Sequence, residues 1–262
     1  MKLWKKNSSH HQINAIIYKI RSCRIIMTRA ADLLRRLSKE GILVPEQVKK
    51  AILKVDLEHF TDYDVAPFYA DRPVPYIESN SGNIKTISAP HMIITLLHHM
   101  ELAVGQEIIV IGCKGGYLSA LIATIVGENG RVNVLDPSTE VVNHAKERLS
   151  HWPTVEIRAV EDLEVAPIAF PGEFNRVIMT GQIESIPQWI KSRVCDGGFV
   201  IAPLGDVDSQ NLMKIEFQEN IELETNLGNV CFGPIDLDSN QNNHLNPKEL
   251  ADLIELSIET CE

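Results

Sequence analysis

From residue 107 onward the chain alternates short apolar runs with helical patterns, and this alternation is the strongest constraint on its fold. The run Glu-Ile-Ile-Val-Ile lies between Gly105 and Gly112, which predicts a short buried strand. The predicted strands cover residues 107–111, 131–136, 154–160 and 174–181, and predicted helices over 116–127 and 139–152 separate the first three. Strands that alternate with helices of this length are joined by right-handed crossovers, so they form a mostly parallel sheet.

The flanking regions extend this pattern on both sides. Before it we predict two helices over residues 28–56, broken at Gly41 and restarted at Pro45, then an extended loop over 61–90 and a helix over 90–103. After it we predict a short helix ended by Asp196-Gly197-Gly198, a strand over 199–205, strands near 212–219 and 221–234, and a helix over 247–259. The fold class is therefore α/β, with a doubly wound, mostly parallel sheet, N-terminal helices and antiparallel C-terminal strands.

Basic residues are concentrated at the N-terminus of an otherwise acidic chain. Residues 1–26 contain six Lys and Arg and no Asp or Glu, whereas the chain of 262 residues has a net charge of −10. One interpretation of this segment is a targeting or membrane-surface segment. The other is a translated upstream extension, which is suggested by the clean helical pattern that starts at Met27. We therefore expect a basic extension over 1–26, one domain over 27–236, and a C-terminal loop and helix over 237–262.

The composition narrows the class of function. An acidic chain disfavours nucleic-acid binding, which usually requires a basic face. The sequence has no window of 18 apolar residues, so we predict no membrane-spanning helix. The five cysteines are scattered without a Cys-x-x-Cys pair, which indicates a reducing compartment and offers no zinc-ligand spacing. We expect a cytoplasmic protein with no metal and with neither nucleic acid nor membrane as a partner.

The turn after the first predicted strand is the candidate ligand site. It reads Gly112-Cys113-Lys114-Gly115-Gly116, and glycines at such a turn allow a ligand to approach bare backbone. Asp136 ends the next predicted strand, where a carboxylate can accept hydrogen bonds from both hydroxyls of a ribose. The alternative is that the glycines only make a tight turn and that Asp136 caps the helix that begins near Ser138.

Several further strings resemble the protein-L-isoaspartate O-methyltransferase family. They are Thr-Ile-Ser-Ala-Pro-His-Met at 86–92, Tyr-x-Asp-x-Pro-x-Pro at 69–75, the glycine turn, Val-Asn-Val-Leu-Asp at 132–136, Phe-Asn-Arg-Val-Ile-Met-Thr-Gly at 174–181 and Asp-Gly-Gly-Phe-Val-Ile-Ala-Pro-Leu-Gly at 196–205. The resemblance covers about residues 30–236, and the string at 86–92 is its most specific part. It implies a Rossmann-like methyltransferase fold that binds S-adenosylmethionine.

The resemblance also implies an activity and a set of site residues. The family methylates the free α-carboxylate of L-isoaspartyl residues in aged proteins, so isoaspartyl peptides and proteins are the implied partners. By position, Gly112, Lys114 and Gly116 would line the methionine part of the cofactor, Asp136 would bind the ribose, and Glu161, or Asp162 with a one-residue slip, would contact the adenine. Ser88 would face the transferring methyl group and the substrate carboxylate, and Thr86, Ala89, Pro90 and His91 would shape that wall.

The cofactor shell departs from the family's pattern at three places. Val110 stands where the family commonly has Glu or Asp, Lys114 replaces a glycine, and Val160-Glu161-Asp162 replaces Gly-Asp-Gly. A lysine ammonium close to a sulfonium is electrostatically unfavourable, although the side chain could point to solvent or meet the methionine carboxylate. The alternatives to the repair enzyme are therefore a non-catalytic binding module that has lost the cofactor, and a methyltransferase that acts on RNA or a small molecule.

Overall fold

The computed structural model describes residues 28–79, 82–168, 170, 172–219 and 221–235. The predicted basic extension, the C-terminal loop and the predicted helix over 247–259 lie outside these residues. Within the described part of the chain, no helix combines the length and the apolar character that crossing a membrane requires.

The N-terminal part consists of short helices followed by a hairpin. Helix α1 covers residues 28–39, α2 covers Glu46–Lys54, a 3-10 turn covers Leu57–Phe60, and α3 covers Ala66–Tyr69. Strands β1 (Val74–Glu78) and β2 (Ile84–Ile87) pair antiparallel, and helix α4 (Pro90–His99) follows them. The predicted break at Gly41 and restart at Pro45 are confirmed.

The hairpin corrects the prediction of an extended loop over residues 61–90. Pro73 and Pro75 weaken the strand signal, because proline has no N–H to donate to a ladder. The strands nevertheless pair, with Pro75 opposite Thr86 and an irregular register between Pro75 and Ile77. The Ser79 N–H donates to the Asn83 carbonyl at 2.8 Å and closes the turn. The hairpin therefore leads the chain directly into the segment that was predicted to face the substrate.

A seven-stranded sheet forms the centre of the molecule, and it confirms the predicted fold class. Its strands are β3 (Glu107–Ile111), β4 (Arg131–Asp136), β5 (Val155–Ala159), β6 (Phe174–Met179), β7 (Val194–Asp206), β8 (Ser209–Gln218) and β9 (Ile221–Val230). Their order is β5-β4-β3-β6-β7-β8-β9. The first five are parallel, and β8 and β9 are antiparallel to their neighbours.

Helices cover the sheet where the sequence is most apolar. Helix α5 (Tyr117–Val126) is buried on nearly every side, because it lies between the sheet and the N-terminal helices. Helix α6 (Thr139–Arg148) is amphipathic, and α7 (Gln188–Lys191) is a single turn. Asp196-Gly197-Gly198 lies inside β7 instead of ending α7, which corrects the prediction. The register of β6 and β7 is irregular there and Gly197 has a φ of 72°, so the glycines accommodate a bulge.

The strand order reverses between β3 and β6. The chain runs from β3 outward through β4 to β5, and then returns to the other side of β3 to form β6. Ligands of doubly wound sheets bind in the crevice beyond the carboxyl ends of the strands at such a reversal. The turns that follow β3 and β6 therefore border the place where a ligand is expected.

Candidate active site

The glycines of the turn after β3 pack closely against neighbouring side chains. Gly112 and Gly116 have φ angles of 96° and 91°, in the left-handed region that glycine adopts without strain. A Cβ on Gly112 would collide with the Thr180 hydroxyl, and one on Gly116 would lie 3.0 Å from Cδ1 of Leu149. These glycines are therefore required by the packing of the turn against β6 and α6.

Asp136 lies at the end of β4 and holds this turn. One carboxylate oxygen accepts a hydrogen bond from the Cys113 N–H at 2.7 Å, and the other accepts from the Ser138 N–H at 2.9 Å. Asp136 is only 8% exposed, so the carboxylate points inward. The capping residue of α6 is Ser138, whose hydroxyl accepts from the Val141 N–H, and Asp136 accepts from the Ser138 N–H just before the helix. Asp136 also ends a parallel strand beside the crevice, so binding of a ribose by Asp136 stays a prediction.

Two apolar positions surround the base of the turn. Val110 is fully buried in β3, so this position carries no charge toward the crevice. Cys113 is also fully buried. Burial raises the pKa of the Cys113 thiol well above its ordinary value, and the negative charge of Asp136 and a hydrogen bond to it add to this effect. The thiol therefore stays protonated at neutral pH.

Glu161 lies next to the end of β4. The Val160 N–H donates to the backbone carbonyl of Asp136 at 3.1 Å, which joins the segment after β5 to the end of β4. Glu161 and Asp162 are both exposed, and the Asp162 carboxylate accepts from the Glu164 N–H at 2.8 Å. Since Asp162 is used in this local turn, Glu161 is the better placed of the two carboxylates to meet a ligand at this edge.

Lys114 has an unusual backbone conformation within the turn. Its φ angle is 43°, in the region that glycine favours and that other residues adopt at a cost. The side chain is half-buried, and Nζ lies 5.8 Å from the centre of the Phe232 ring. Phe232 belongs to the segment that follows β9. The Lys114 side chain therefore extends from the β3 turn toward the antiparallel half of the sheet.

The segment from Thr86 to His91 joins the hairpin to α4. Thr86 lies in β2, Ala89 is the buried N-cap residue of α4, and Pro90 is the first residue of that helix. Ser88 is half-buried and precedes the cap. Proline suits the first helical position because it lacks the N–H that would have no partner there.

Asp71 holds this segment through two hydrogen bonds that the sequence reasoning missed. Its Oδ1 accepts from the His91 N–H at 2.9 Å, and its Oδ2 lies 2.9 Å from His91 Nδ1. Asp71 has a φ of 60°, a left-handed conformation that Asp tolerates better than most residues. Its position in the Tyr-x-Asp-x-Pro string was the available signal, but the 20 residues between Asp71 and His91 hid the pairing.

A small cavity lies between the turn after β3 and the segment from Thr86 to His91. Ser88, Lys114 and Thr180 line it, and the other lining residues are aliphatic: Ile87, Ile93, Leu96 and Leu118. Its volume is about 10 Å³, roughly the room that one water molecule needs. Thr180, which the sequence reasoning also missed, follows β6, and its hydroxyl lies 3.0 Å from the Gly112 carbonyl and 3.2 Å from that of Ile111. Asp136 and Glu161 do not line this cavity.

A larger cavity of about 60 Å³ lies under the N-terminal helices. Lys54, Asp56, Tyr69 and Tyr117 are among its lining residues, and none of the predicted site residues lines it. Burial raises the pKa of Tyr69 to about 12, and the charges of Asp56 and Glu58 add to this effect. Its walls come from α1, α2, α3 and α5, so it belongs to the packing of the N-terminal helices on the sheet. Among the described residues, no three His, Cys, Asp or Glu side chains are grouped as metal ligands.

Comparisons with known proteins decide the family. The family model described as Protein-L-isoaspartate(D-aspartate) O-methyltransferase (PCMT) matches residues 28–239. This chain belongs to that family. The match includes the hairpin, the glycine turn, the whole sheet and the segment after β9, so the family's sequence pattern extends over both sides of the crevice.

Individual members of the family are similar over most of their length. A protein-L-isoaspartate O-methyltransferase from Pyrobaculum islandicum is 31% identical over 191 residues, which cover 71% of this chain and 88% of the relative. One from Methanosarcina mazei is 28% identical over 200 residues, covering 75% and 79%. A Plasmodium falciparum chain, described as a protein-L-isoaspartate O-methyltransferase in complex with S-adenosyl-L-homocysteine, superposes with a TM-score of 0.68 at 24% identity over 79% of this chain and 98% of its own. This last likeness establishes the fold.

Proposed function

We propose that this chain transfers a methyl group from S-adenosylmethionine to the free α-carboxylate of L-isoaspartyl residues in damaged proteins. Membership of the family supports this proposal, as does the activity in the names of the Pyrobaculum and Methanosarcina relatives. The observation that carries it is the cavity at the sheet reversal, where Ser88 meets Lys114 and Thr180. A methyl donor held by the β3 turn and a carboxylate held by the Ser88 segment would meet at this point.

The donor groups at the crevice fit S-adenosylmethionine. Asp136 ends β4 beside the crevice and already accepts from two backbone N–H groups, and a carboxylate at this place in a doubly wound sheet would accept from a ribose hydroxyl. Glu161, at the same edge, is our candidate for the adenine. The backbone of Gly112, Lys114 and Gly116 would face the methionine part. The cavity beside Ser88 is smaller than a methylthio group, so binding requires movement of the long Lys114 side chain.

The chemistry demands positioning more than acid–base catalysis. When bound, S-adenosylmethionine supplies a methyl group on a positively charged sulfur. The carboxylate that attacks it is already ionised at pH 7, so no strong general base is needed. Ser88 would offer its hydroxyl group to the carboxylate, whereas the Thr180 hydroxyl donates to the Gly112 and Ile111 carbonyls and holds the β3 turn. The aliphatic walls would exclude water from the reacting atoms. His91, held by Asp71, would fix the orientation of the Ser88 segment.

The cellular setting is part of the proposal. We infer a cytoplasmic enzyme that acts on isoaspartyl peptides and proteins and not on nucleic acid. Cys113, Cys195 and Cys231 are free thiols, which is typical of a reducing compartment. The net charge of −10 is unfavourable for contact with phosphate backbones.

Two measurements test the proposal. Radiolabelled methyl transfer to an isoaspartyl hexapeptide should exceed transfer to the matched aspartyl hexapeptide, and Ser88→Ala should lower kcat/KM by about 10-fold, the loss of one hydrogen bond to a charged group. Titration calorimetry with S-adenosylhomocysteine should give a saturable heat. If millimolar S-adenosylhomocysteine produces no heat, the enzyme proposal is wrong and the non-catalytic binding module takes its place.

A further inference from the structure

Lys114 has a backbone conformation that a glycine would adopt without strain. Lys114, Gly115 and Gly116 all have a positive φ. Two of them are glycines, but Lys114, with a φ of 43°, carries a full side chain. A non-glycine residue in this region costs of order 1–2 kcal/mol, and such strain is concentrated at functional positions. The strain therefore directs attention to what the Lys114 side chain does.

The side chain points toward the part of the crevice opposite Asp136. Asp136 follows β4, on one side of β3, whereas Phe232 packs near the start of β8, on the other side. Phe232 is fixed there because its N–H donates to Gln210 Oε1 at 2.8 Å and its carbonyl accepts from Gln210 Nε2 at 2.9 Å. With Nζ 5.8 Å from the Phe232 ring, the Lys114 ammonium lies on the side of β6 to β9 and not on the ribose side.

The cavity that Lys114 lines has few polar groups. Of the described residues that line the cavity, four are aliphatic, Ser88 and Thr180 carry hydroxyls, and Lys114 is the only charged one. The Thr180 hydroxyl is used by the Gly112 and Ile111 carbonyls, so Ser88 is the hydroxyl donor for a ligand. An anion in such surroundings is stable only if charge and hydrogen-bond donors compensate for its lost hydration. The group that must enter this place, if the proposed function is right, is the substrate carboxylate.

We propose that Lys114 binds the α-carboxylate of the isoaspartyl residue, together with the Ser88 hydroxyl. This inference rests on the proposed function for the identity of the anion. Methylation converts the carboxylate into a neutral ester, so the ion pair is strongest before the reaction and weakens as the charge disappears. An interaction of this kind raises substrate affinity without raising kcat. Lys114 therefore acts as a specificity-determining residue for an acidic substrate.

A comparison of the unaltered protein with three variants, each titrated with two peptides, tests this directly. Fluorescein-labelled peptides that contain either isoaspartate or its α-carboxamide are titrated into the full chain in the presence of S-adenosylhomocysteine, with fluorescence anisotropy as the readout. The unaltered protein should bind the acid at least about 10-fold more tightly than the amide, as expected for a charge-assisted hydrogen bond. Lys114→Met should reduce this ratio to near one, whereas Lys114→Arg should largely keep it. Lys39→Met removes an exposed lysine of α1 and should leave the ratio unchanged.

The other outcomes overturn the inference. If Lys114→Met keeps the acid-to-amide ratio, Lys114 does not bind the carboxylate. If the ratio is kept and calorimetry shows weaker binding of S-adenosylhomocysteine, Lys114 holds the methionine carboxylate instead. If Lys114→Gly binds S-adenosylhomocysteine more tightly with the ratio unchanged, the lysine only obstructs the cofactor. A protein that discriminates acid from amide through Lys114 but transfers no methyl group would refute the proposed function and keep this inference.

Discussion

The two segments that meet at the cavity are held in place by different forces. The β3 turn is fixed by shape, because a Cβ on Gly112 or Gly116 would run into Thr180 or Leu149. The Ser88 segment is fixed by hydrogen bonds, because Asp71 bonds both the backbone and the ring of His91. Damage to the turn should therefore appear first as a loss of folding, whereas damage at Asp71 should appear first as a loss of activity.

Gly112→Ala should have the largest effect on stability. The new Cβ would lie at a positive φ and collide with the Thr180 hydroxyl inside a packed turn. Gly41→Ala is the matched control, because Gly41 has a φ of 94° but no atom within 4 Å of its Cβ position. We expect the control to lose about 1 kcal/mol of unfolding free energy. Gly112→Ala should lose a further 1–3 kcal/mol or so from overpacking.

Urea denaturation of the two variants measures this difference. The comparison depends on the collision and not on the backbone angle, since both glycines have a similar φ. Equal losses in Gly41→Ala and Gly112→Ala would show that Thr180 can move aside, and the turn would then not be held by shape.

Asp71→Asn should lower activity more than it lowers stability, because Asp71 positions the Ser88 segment. Asn tolerates the φ of 60° and keeps an oxygen for the His91 N–H, but its amide group no longer accepts a hydrogen bond from the imidazole. We expect kcat to fall by about 10-fold and the unfolding free energy by only about 1 kcal/mol, the typical loss of one hydrogen bond. S-adenosylhomocysteine affinity should be unchanged, because the hydrogen bonds of Asp71 go to His91 and not to the β3 turn.

Asp64→Asn provides the control for Asp71→Asn. Asp64 lies on the same stretch, and its carboxylate accepts from the Ala66 N–H at 2.9 Å, away from the cavity. Its substitution should leave kcat unchanged, and a substrate KM measured alongside separates binding from turnover. If Asp71→Asn lowers stability as much as Gly112→Ala while kcat per folded molecule stays normal, Asp71 is structural and does not position the Ser88 segment.

The sequence predicted strands β3 and β4 well, because the signal for each lies in its own run of apolar residues. The run over 107–111 and the pattern ending at Asp136 match β3 and β4 without correction. Buried parallel strands are continuous apolar runs, so their signal does not depend on the neighbouring strand. The β3 turn followed from its glycines for the same reason.

The features that the sequence did not predict depend on pairing between distant residues. Strand β1 contains Pro75 and becomes a strand because β2 lies beside it. Asp71 was visible within a recognisable string, but its contact with His91 arises only when the hairpin folds back on α4. Thr180 ends a predicted strand, and its role in packing against Gly112 depends on the neighbouring strand. Local patterns therefore predicted the parallel strands and the glycine turn better than the contacts of the hairpin and of the Ser88 segment.

The smallest expected effect is on the pH dependence of stability. It concerns a hydrogen bond that joins the N-terminal part to α6, next to the glycine turn after β3. The His144 Nε2 lies 3.1 Å from the Phe60 carbonyl. Burial lowers the pKa of His144, and the bond to Phe60 opposes this only in part. The folded state therefore prefers neutral His144, and its contribution to stability is complete above pH 6.5 and is lost as the pH falls through the lowered pKa. Each proton taken up on unfolding changes the unfolding free energy by at most about 1.4 kcal/mol per pH unit.

His144→Gln should flatten this part of the pH profile, because Gln keeps an N–H donor for Phe60 but does not titrate. Denaturation midpoints between pH 7 and pH 5 measure the slope for both proteins. His99 also has a pKa lowered by burial, so part of the slope should remain in the variant. A variant with the full original slope would mean that His144 is already protonated in the folded state. The contact between α6 and the N-terminal part would then be a charge-assisted hydrogen bond to the Phe60 carbonyl, and acid would not loosen the packing of Phe60 beside the glycine turn.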